Sequence, residues 1–266
     1  ICGCEANGIP VDVAQSIYDE IYDFANYAFN KAHSVGYAVI AYQTAWFKCY
    51  YPREYMAALM TSVLDSAGKI AGYIAECKEL GIAVLPPDLN HSEDHFTVEG
   101  DAIRFGLGAV KYVGRGLIRT MVKKREEGGP FQSLEDFIQR MGEGELNKRA
   151  VENLIRCGAM DGLGCHRSEL IGVYDAMMDS ISSSRKKNLE GQLGLFSMLE
   201  DDSAAKMDIP KRAEFDKAEL MAMEKETTGL YLSGHPMDDY RKLLKNTHVI
   251  PIGELMDEEN HYEDNQ

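Results

Sequence analysis

Apolar residues recur at Val13, Ile17, Ile21 and Phe24 with acids between them, a spacing that predicts an amphipathic helix over 12–28 with Asp12 as its N-cap. From 35 to 50 the chain is apolar nearly all round. That predicts a buried helix ended by Pro52, with Tyr42, Trp46 and Phe47 in its core rather than in a base-stacking platform. Two further helices are predicted at 53–64 and 67–80, the second closed by Gly81. IAVLPPDLN then reads as a short extended piece and a turn. The period switches in HFTVEGDAIRFGL, where Phe96 and Val98, then Ile103 and Phe105, flank Glu99-Gly100-Asp101-Ala102 and predict a β-hairpin. Helices return at about 107–112, 116–127, 133–141, 147–156 and 167–182, with Ser133 and Asn147 as caps. Residues 183–213 have the Ser-, charge- and Gly-rich composition of a linker. A helix is predicted at 214–227, and 253–266 reads as frayed. The pattern as a whole is mainly α with one small β-hairpin.

Composition narrows the class. Of 266 residues, 45% are hydrophobic and 27% charged, an ordinary globular balance for one large domain or two to three small ones. The opening ICGCEANGIP has no initiating Met, basic region or cleavage signal, so the chain reads as a cytoplasmic segment of something longer. Its longest apolar stretch, VGYAVIAYQTAWF, is broken by Gln43 and Thr44 and is too short for a bilayer, which predicts no membrane partner. The six cysteines lack a pairing pattern and read as free thiols. His91 and His95 follow Pro86-Pro87 in a polar connection, where solvated histidines are the reading rather than a metal pair.

Net charge is −15, and −9 of it lies between Met198 and Gln266. Between Arg104 and Arg125 there are basic residues (Arg104, Lys111, Arg115, Arg119, Lys123, Lys124, Arg125) and no acid. A local cationic stretch in an acidic chain is a footprint of phosphate contact. It surrounds a turn, Tyr112-Val113-Gly114-Arg115-Gly116, between two predicted helices. Glycines without a Cβ let a phosphate approach the backbone, and the amides at the start of the second helix form an anion site. Arg115, Arg119 and Lys123 recur four apart along that helix, and Lys111 precedes it. A second turn follows at Cys157 to Gly164, with Gly162, Gly164 and then Arg167 at the next helix start. The pair has the form of a tandem helix-hairpin-helix module that grips duplex DNA through phosphates. A single Gly-x-Gly turn also serves as a plain αα-hairpin. The second turn, beside Glu152, Asp161 and Glu169, carries less of the DNA argument.

Residues 27–60, YAFNKAHSVGYAVIAYQTAWFKCYYPREYMAALM, resemble the C-family of DNA polymerases, the alpha subunits of bacterial DNA polymerase III. Leu85 to Asn90, Phe105 to Lys111, Leu146-Asn147-Lys148-Arg149 and Gly229-Leu230-Tyr231-Leu232-Ser233-Gly234-His235-Pro236 continue the likeness over nearly the whole chain. The resemblance implies that 1–98 is the C-terminal part of the fingers and 99–182 the tandem helix-hairpin-helix. It makes 183–213 a linker and 214–266 a helical segment leading to an OB-fold domain outside this sequence. It also implies nucleotide contacts from Asn30, Lys31, His33 and Ser34: Lys31 as a point charge, His33 as a ring donor and Ser34 as a hydroxyl beside the triphosphate. The DNA contacts expected are Lys111, Val113, Gly114, Arg115, Gly116, Arg119, Lys123, Gly162, Gly164 and Arg167.

The same resemblance implies a polymerase that adds deoxynucleotides to the 3′ end of a primer on duplex primer-template DNA. It would use Mg2+ on palm carboxylates that this sequence does not contain. The acids of 1–98, Asp12, Asp19, Glu20 and Asp23, read as the solvated face of a helix, so the segment alone is expected to be inactive. In this family the region after the hairpin module carries a peptide for the sliding clamp, the beta subunit. Gln192-Leu193-Gly194-Leu195-Phe196 fits its pattern of Gln, aliphatic, small, Leu and aromatic, with Gln192, Leu193, Leu195 and Phe196 as the contact residues. Other replisome subunits would join through the missing domains. The competing reading is a stand-alone helix-hairpin-helix DNA-binding adaptor or repair protein, for which Arg115-Gly116-Leu117 offers no catalytic Lys or Asp.

Overall fold

The computed structural model describes residues 2–27, 31–142, 146–189, 209–238 and 240, and they form two compact units divided after Tyr55. The fold is mainly helical with one small sheet. The first unit holds α1 (Cys2–Ala6), α2 (Val11–Tyr27) and α3 (Lys31–Tyr50). The helix predicted over 12–28 is there, but it begins at Val11 behind Pro10, so Asp12 lies in its first turn and not at the cap. The expectation of a buried α3 is corrected: Tyr42 is 72%, Phe47 51% and Trp46 40% exposed. No described element covers this helix, and its aromatic rings cluster along its own surface. Trp46 lies 5.0 Å from Tyr50 and 5.5 Å from Tyr51, centroid to centroid.

α4 (Pro52–Thr61) runs across the division and buries Met56 and Met60, and in the second unit α5 (Ala67–Glu79) buries Ile70 and Cys77. Gly81 ends α5 in the left-handed conformation at φ 72°, as its position predicted. β1 (Ala83–Leu85), β2 (Thr97–Glu99) and β3 (Ala102–Arg104) make one mixed sheet in the order β1-β3-β2. The hairpin is the antiparallel β2–β3 pair, with Val98 opposite Ile103, and Gly100 turns it. β1 adds in parallel, with Val84 opposite Ile103. Arg104 fixes the hairpin by a forked bond to Glu99 at 2.7 and 2.8 Å and donates to the Pro86 carbonyl at 2.8 Å.

Where a helix was expected at 107–112, the chain makes a single 3-10 turn, Leu107–Ala109. Val110 leaves it in extended conformation (φ −84°, ψ 125°), and the Lys111 amide, which a helix would direct to the Leu107 carbonyl, goes instead to the Thr227 carbonyl at 2.9 Å. The remaining helices are α6 (Arg115–Gly128), α7 (Leu134–Met141), α8 (Lys148–Arg156), α9 (Arg167–Leu189) and α10 (Lys217–Thr228). Ser133 and Asn147 cap α7 and α8 by accepting from the amides of Asp136 and Ala150. Amphipathic α7 and α8 pack on α9, and the core around them includes Phe131, Phe137, Leu154 and Leu170. No described helix is long and apolar enough to cross a membrane.

Candidate nucleic-acid interface

The first turn runs from the 3-10 turn to α6. Val113 is buried and Ile118 and Met121 anchor the inner face of α6, which leaves Gly114, Arg115, Gly116 and Arg119 exposed. Gly114 occupies the N-cap at φ −72° and offers no side chain to cap the helix. Among the described residues the amides of Gly114, Arg115, Gly116 and Leu117 bond to no acceptor. A helix start left open in this way presents its N–H groups and the positive end of its dipole outward. Neither Gly114 nor Gly116 has positive φ, and a Cβ built on either would meet nothing within 4 Å. Neither backbone conformation nor internal packing requires glycine there. Both positions are open to solvent on the outer side of the turn.

The cations of the run divide on inspection. Arg104 is engaged by Glu99, and Arg125 donates to the carbonyls of Leu89 and Ser92 at 3.1 and 2.9 Å. Lys111 is exposed, yet its Nζ donates to the Glu226 carbonyl at 2.8 Å and its amide to that of Thr227, which ties the first turn to the end of α10. Arg115 and Arg119 donate no hydrogen bond among the described residues. Lys123 makes only a loose surface pair with Glu127 at 3.8 Å. In space this face is not acid-free: Arg119 and Lys123 line a shallow groove with Glu93, Asp94 and Glu126. The His95 ring, 2.7 Å away, holds the Asp94 carboxyl below its ordinary range against the effect of burial, and His95, Arg119 and Arg115 add their charge. His91 and His95 face carboxylates, Glu99 and Asp94, rather than a shared ion.

The second turn is closed from within, which corrects the expectation for Arg167. Its side chain is 7% exposed, and its guanidinium bonds Asp161 at 2.7 and 2.9 Å, Glu224 at 3.2 Å and the Arg156 carbonyl at 3.2 Å. Burial works against the Arg167 cation, and Asp161 and then Glu224 more than offset it, so its pKa is raised. Gly158, at φ 84°, gives that guanidinium room, since a Cβ there would strike it. Gly162 is exposed, but the Asp88 carboxylate stands 3.0 Å from where its Cβ would be, an anion where a phosphate would have to come. Gly164 is exposed in the left-handed conformation and unobstructed. The amides of Arg167 and Ser168, which open α9, are taken by the Glu214 carboxylate at 2.8 and 3.1 Å. Burial pushes Glu214 up, while the amides of Phe215, Arg167 and Ser168 pull it to a net lowered pKa. Sequence reasoning missed Glu214 and Glu224. Glu224 is 1% exposed and accepts from the amides of Leu232 and Ser233 and from the Ser233 hydroxyl as well.

Of the expected nucleotide contacts, Lys31, His33 and Ser34 stand in the first turn of α3, and the His33 ring lies 4.4 Å from that of Tyr37. Asn30 lies outside the described residues, as do Gln192, Leu193, Leu195 and Phe196. Among the described residues no group of three His, Cys, Asp or Glu is placed to hold a metal.

Two glycine-bearing turns between helices, one open and one closed from within, lie in residues 81–170, which match the helix-hairpin-helix motif model. Across most of its length the chain is homologous to the alpha subunit of bacterial DNA polymerase III, as its motifs led us to expect. It is 40% identical over 244 residues to that subunit from Vibrio cholerae, which spans 91% of this chain and 21% of the relative. The Thermus aquaticus subunit is 40% identical over 238 residues (90% and 19%), and that of Escherichia coli K12 39% over 242 (90% and 21%). The chain therefore spans about a fifth of the length of these relatives.

Proposed function

We propose that the chain is the duplex-holding and nucleotide-facing segment of a C-family replicative DNA polymerase of the bacterial cytoplasm. In the full-length enzyme it serves the transfer of deoxynucleotides to a primer 3′ end. The observation that carries the DNA-binding part is the open turn at Gly114–Leu117. Its unbonded amides and two glycines without an internal reason accept a phosphate, and Arg115, Arg119 and Lys123 follow the strand along α6. Three such cation–phosphate contacts correspond to a salt slope of about −2.7, which is roughly a 40-fold loss of affinity between 50 and 200 mM salt. The second turn takes a lesser part. Arg167 is engaged internally, and Gly164 is left as its exposed contact.

The test is anisotropy of a labelled primer-template duplex with this chain, beside Gly116→Ala and Arg115→Ala/Arg119→Ala. Alanine in the first turn of a helix is tolerated where space is open, so Gly116→Ala should keep or raise stability and still weaken binding. Unchanged affinity and salt slope in both variants would remove the proposal.

The nucleotide-facing part rests on Asn30, Lys31, His33 and Ser34, supported by the position of the last three at a helix start, where the dipole favours a polyphosphate. In the full-length polymerase Lys31→Ala should raise the nucleotide KM or lower kcat, and wild-type kinetics would rule it out. The clamp-binding part rests on the pattern Gln192-Leu193-Gly194-Leu195-Phe196 alone. Calorimetry against the sliding clamp should show binding that Leu195→Ala/Phe196→Ala abolishes. Mg2+ enters this reading only with carboxylates elsewhere in the full-length enzyme, and the chain by itself is inactive in primer extension.

A further inference from the structure

Tyr112 sits at φ 64°, in the left-handed region that a bulky L residue rarely adopts. Its side chain is 56% exposed, while Lys111 before it is held by the Thr227 carbonyl and Val113 after it is buried. Its ring has one notable partner, the Arg149 guanidinium, whose Cζ lies 3.3 Å from the ring centroid. Arg149 comes from the first turn of α8, where the Asn147 cap fixes the direction of the helix. Its neighbour Lys148 is turned away onto Asp175 and Asp179, at 2.6 and 2.8 Å. Arg149 is exposed and closes no ion pair among the described residues. A strained tyrosine two residues before the open amides thus holds a cation from the second helix pair beside the first turn.

We propose that Arg149, positioned by Tyr112, is a further phosphate-binding residue of the DNA interface. This rests on the DNA-binding reading above. A guanidinium stacked by one face keeps its edge N–H donors free, and those donors match two oxygens of a phosphodiester. Stacking also limits the rotamers that a long side chain must give up on binding. A lysine in its place would stack less well and offer a single point of contact.

The experiment measures duplex binding by the whole chain across a salt series, together with its denaturation midpoint, for wild type, Arg149→Ala, Arg149→Lys and Tyr112→Gly. Arg149→Ala should weaken binding about fivefold at 0.1 M salt and make the log–log salt slope shallower by about 0.9. Arg149→Lys should fall between it and wild type. Tyr112→Gly relieves the left-handed strain, so its midpoint should hold or rise while its affinity falls. A mere clip between the helix pairs gives another outcome, in which all three variants lower the midpoint and none changes the slope. That outcome overturns the proposal. Wild type that binds duplex with the same slope as Arg149→Ala defeats this inference alone. Wild type that does not bind duplex takes the DNA-binding reading down with it.

Discussion

Replacing Arg167 with Ala separates the two roles an arginine can have at a hairpin. Its guanidinium touches two carboxylates in different surroundings. Asp161 is 50% exposed and regains water when the cation goes, so its loss costs little. Glu224 is 1% exposed and does not. Removing one partner of a buried pair typically costs about 3–5 kcal/mol. Glu224 keeps three donors, the amides of Leu232 and Ser233 and the Ser233 hydroxyl, which places the expected loss near the lower end, about 3 kcal/mol. The single Trp, Trp46, lies in the first unit and does not report on this site. Urea unfolding should be followed by far-UV circular dichroism, and hydrogen exchange at Leu232 and Ser233 would localise the change. Their protection should fall with the global midpoint, and the salt slope of duplex binding by the folded variant should stay as in wild type. A loss below about 1 kcal/mol together with a slope shallower by about 0.9 would refute the buried role and return Arg167 to the DNA.

Two further outcomes follow from side-chain environments. Arg104's hydrogen bonds hold Glu99 down at about 2, against a burial effect that opposes them. A carboxylate depressed on folding contributes stability that is present above its unfolded value near 4.5 and lost as pH falls towards 2, so the β2–β3 hairpin should loosen only in that window. Glu99→Gln should abolish that pH dependence, and an unchanged profile would disprove the assignment. Burial pushes the Cys157 thiol up to about 12 and, with Glu76 adding its charge, Cys77 to about 11, while Cys2 and Cys49 are exposed. Iodoacetamide at pH 8 should label Cys49 promptly and reach Cys77 and Cys157 only after denaturant; prompt native labelling of either buried thiol would contradict the packing.

What was legible in the sequence is what neighbours in sequence decide. Ser133 and Asn147 cap helices three residues away, Gly81 stops α5, and Gly100 turns the hairpin, all within reach of a local pattern. The end of the chain's 3-10 turn at Leu107–Ala109 was not, because the Lys111 amide goes to the Thr227 carbonyl, far along the sequence. The same holds for Arg167. A basic residue at a helix start beside glycines looks like a phosphate ligand, and only residues up to 57 positions away make it a buried tie. Glu214 had no local signal at all, being one acid among many in an acidic segment. The apolar run of α3 predicted burial, yet among the described residues the helix is exposed, because composition alone does not say what packs on a helix.

The chain from Ile209 onward decides how the two hairpins are held. Glu214 closes the start of α9, Glu224 ties Arg167, and the end of α10 receives Lys111, so α10 splints both hairpins from one side. Both hairpins and the residues from Ile209 to α10 are therefore one folding unit, so a substitution at Glu214 or Glu224 is felt in the turns and not in α10 alone.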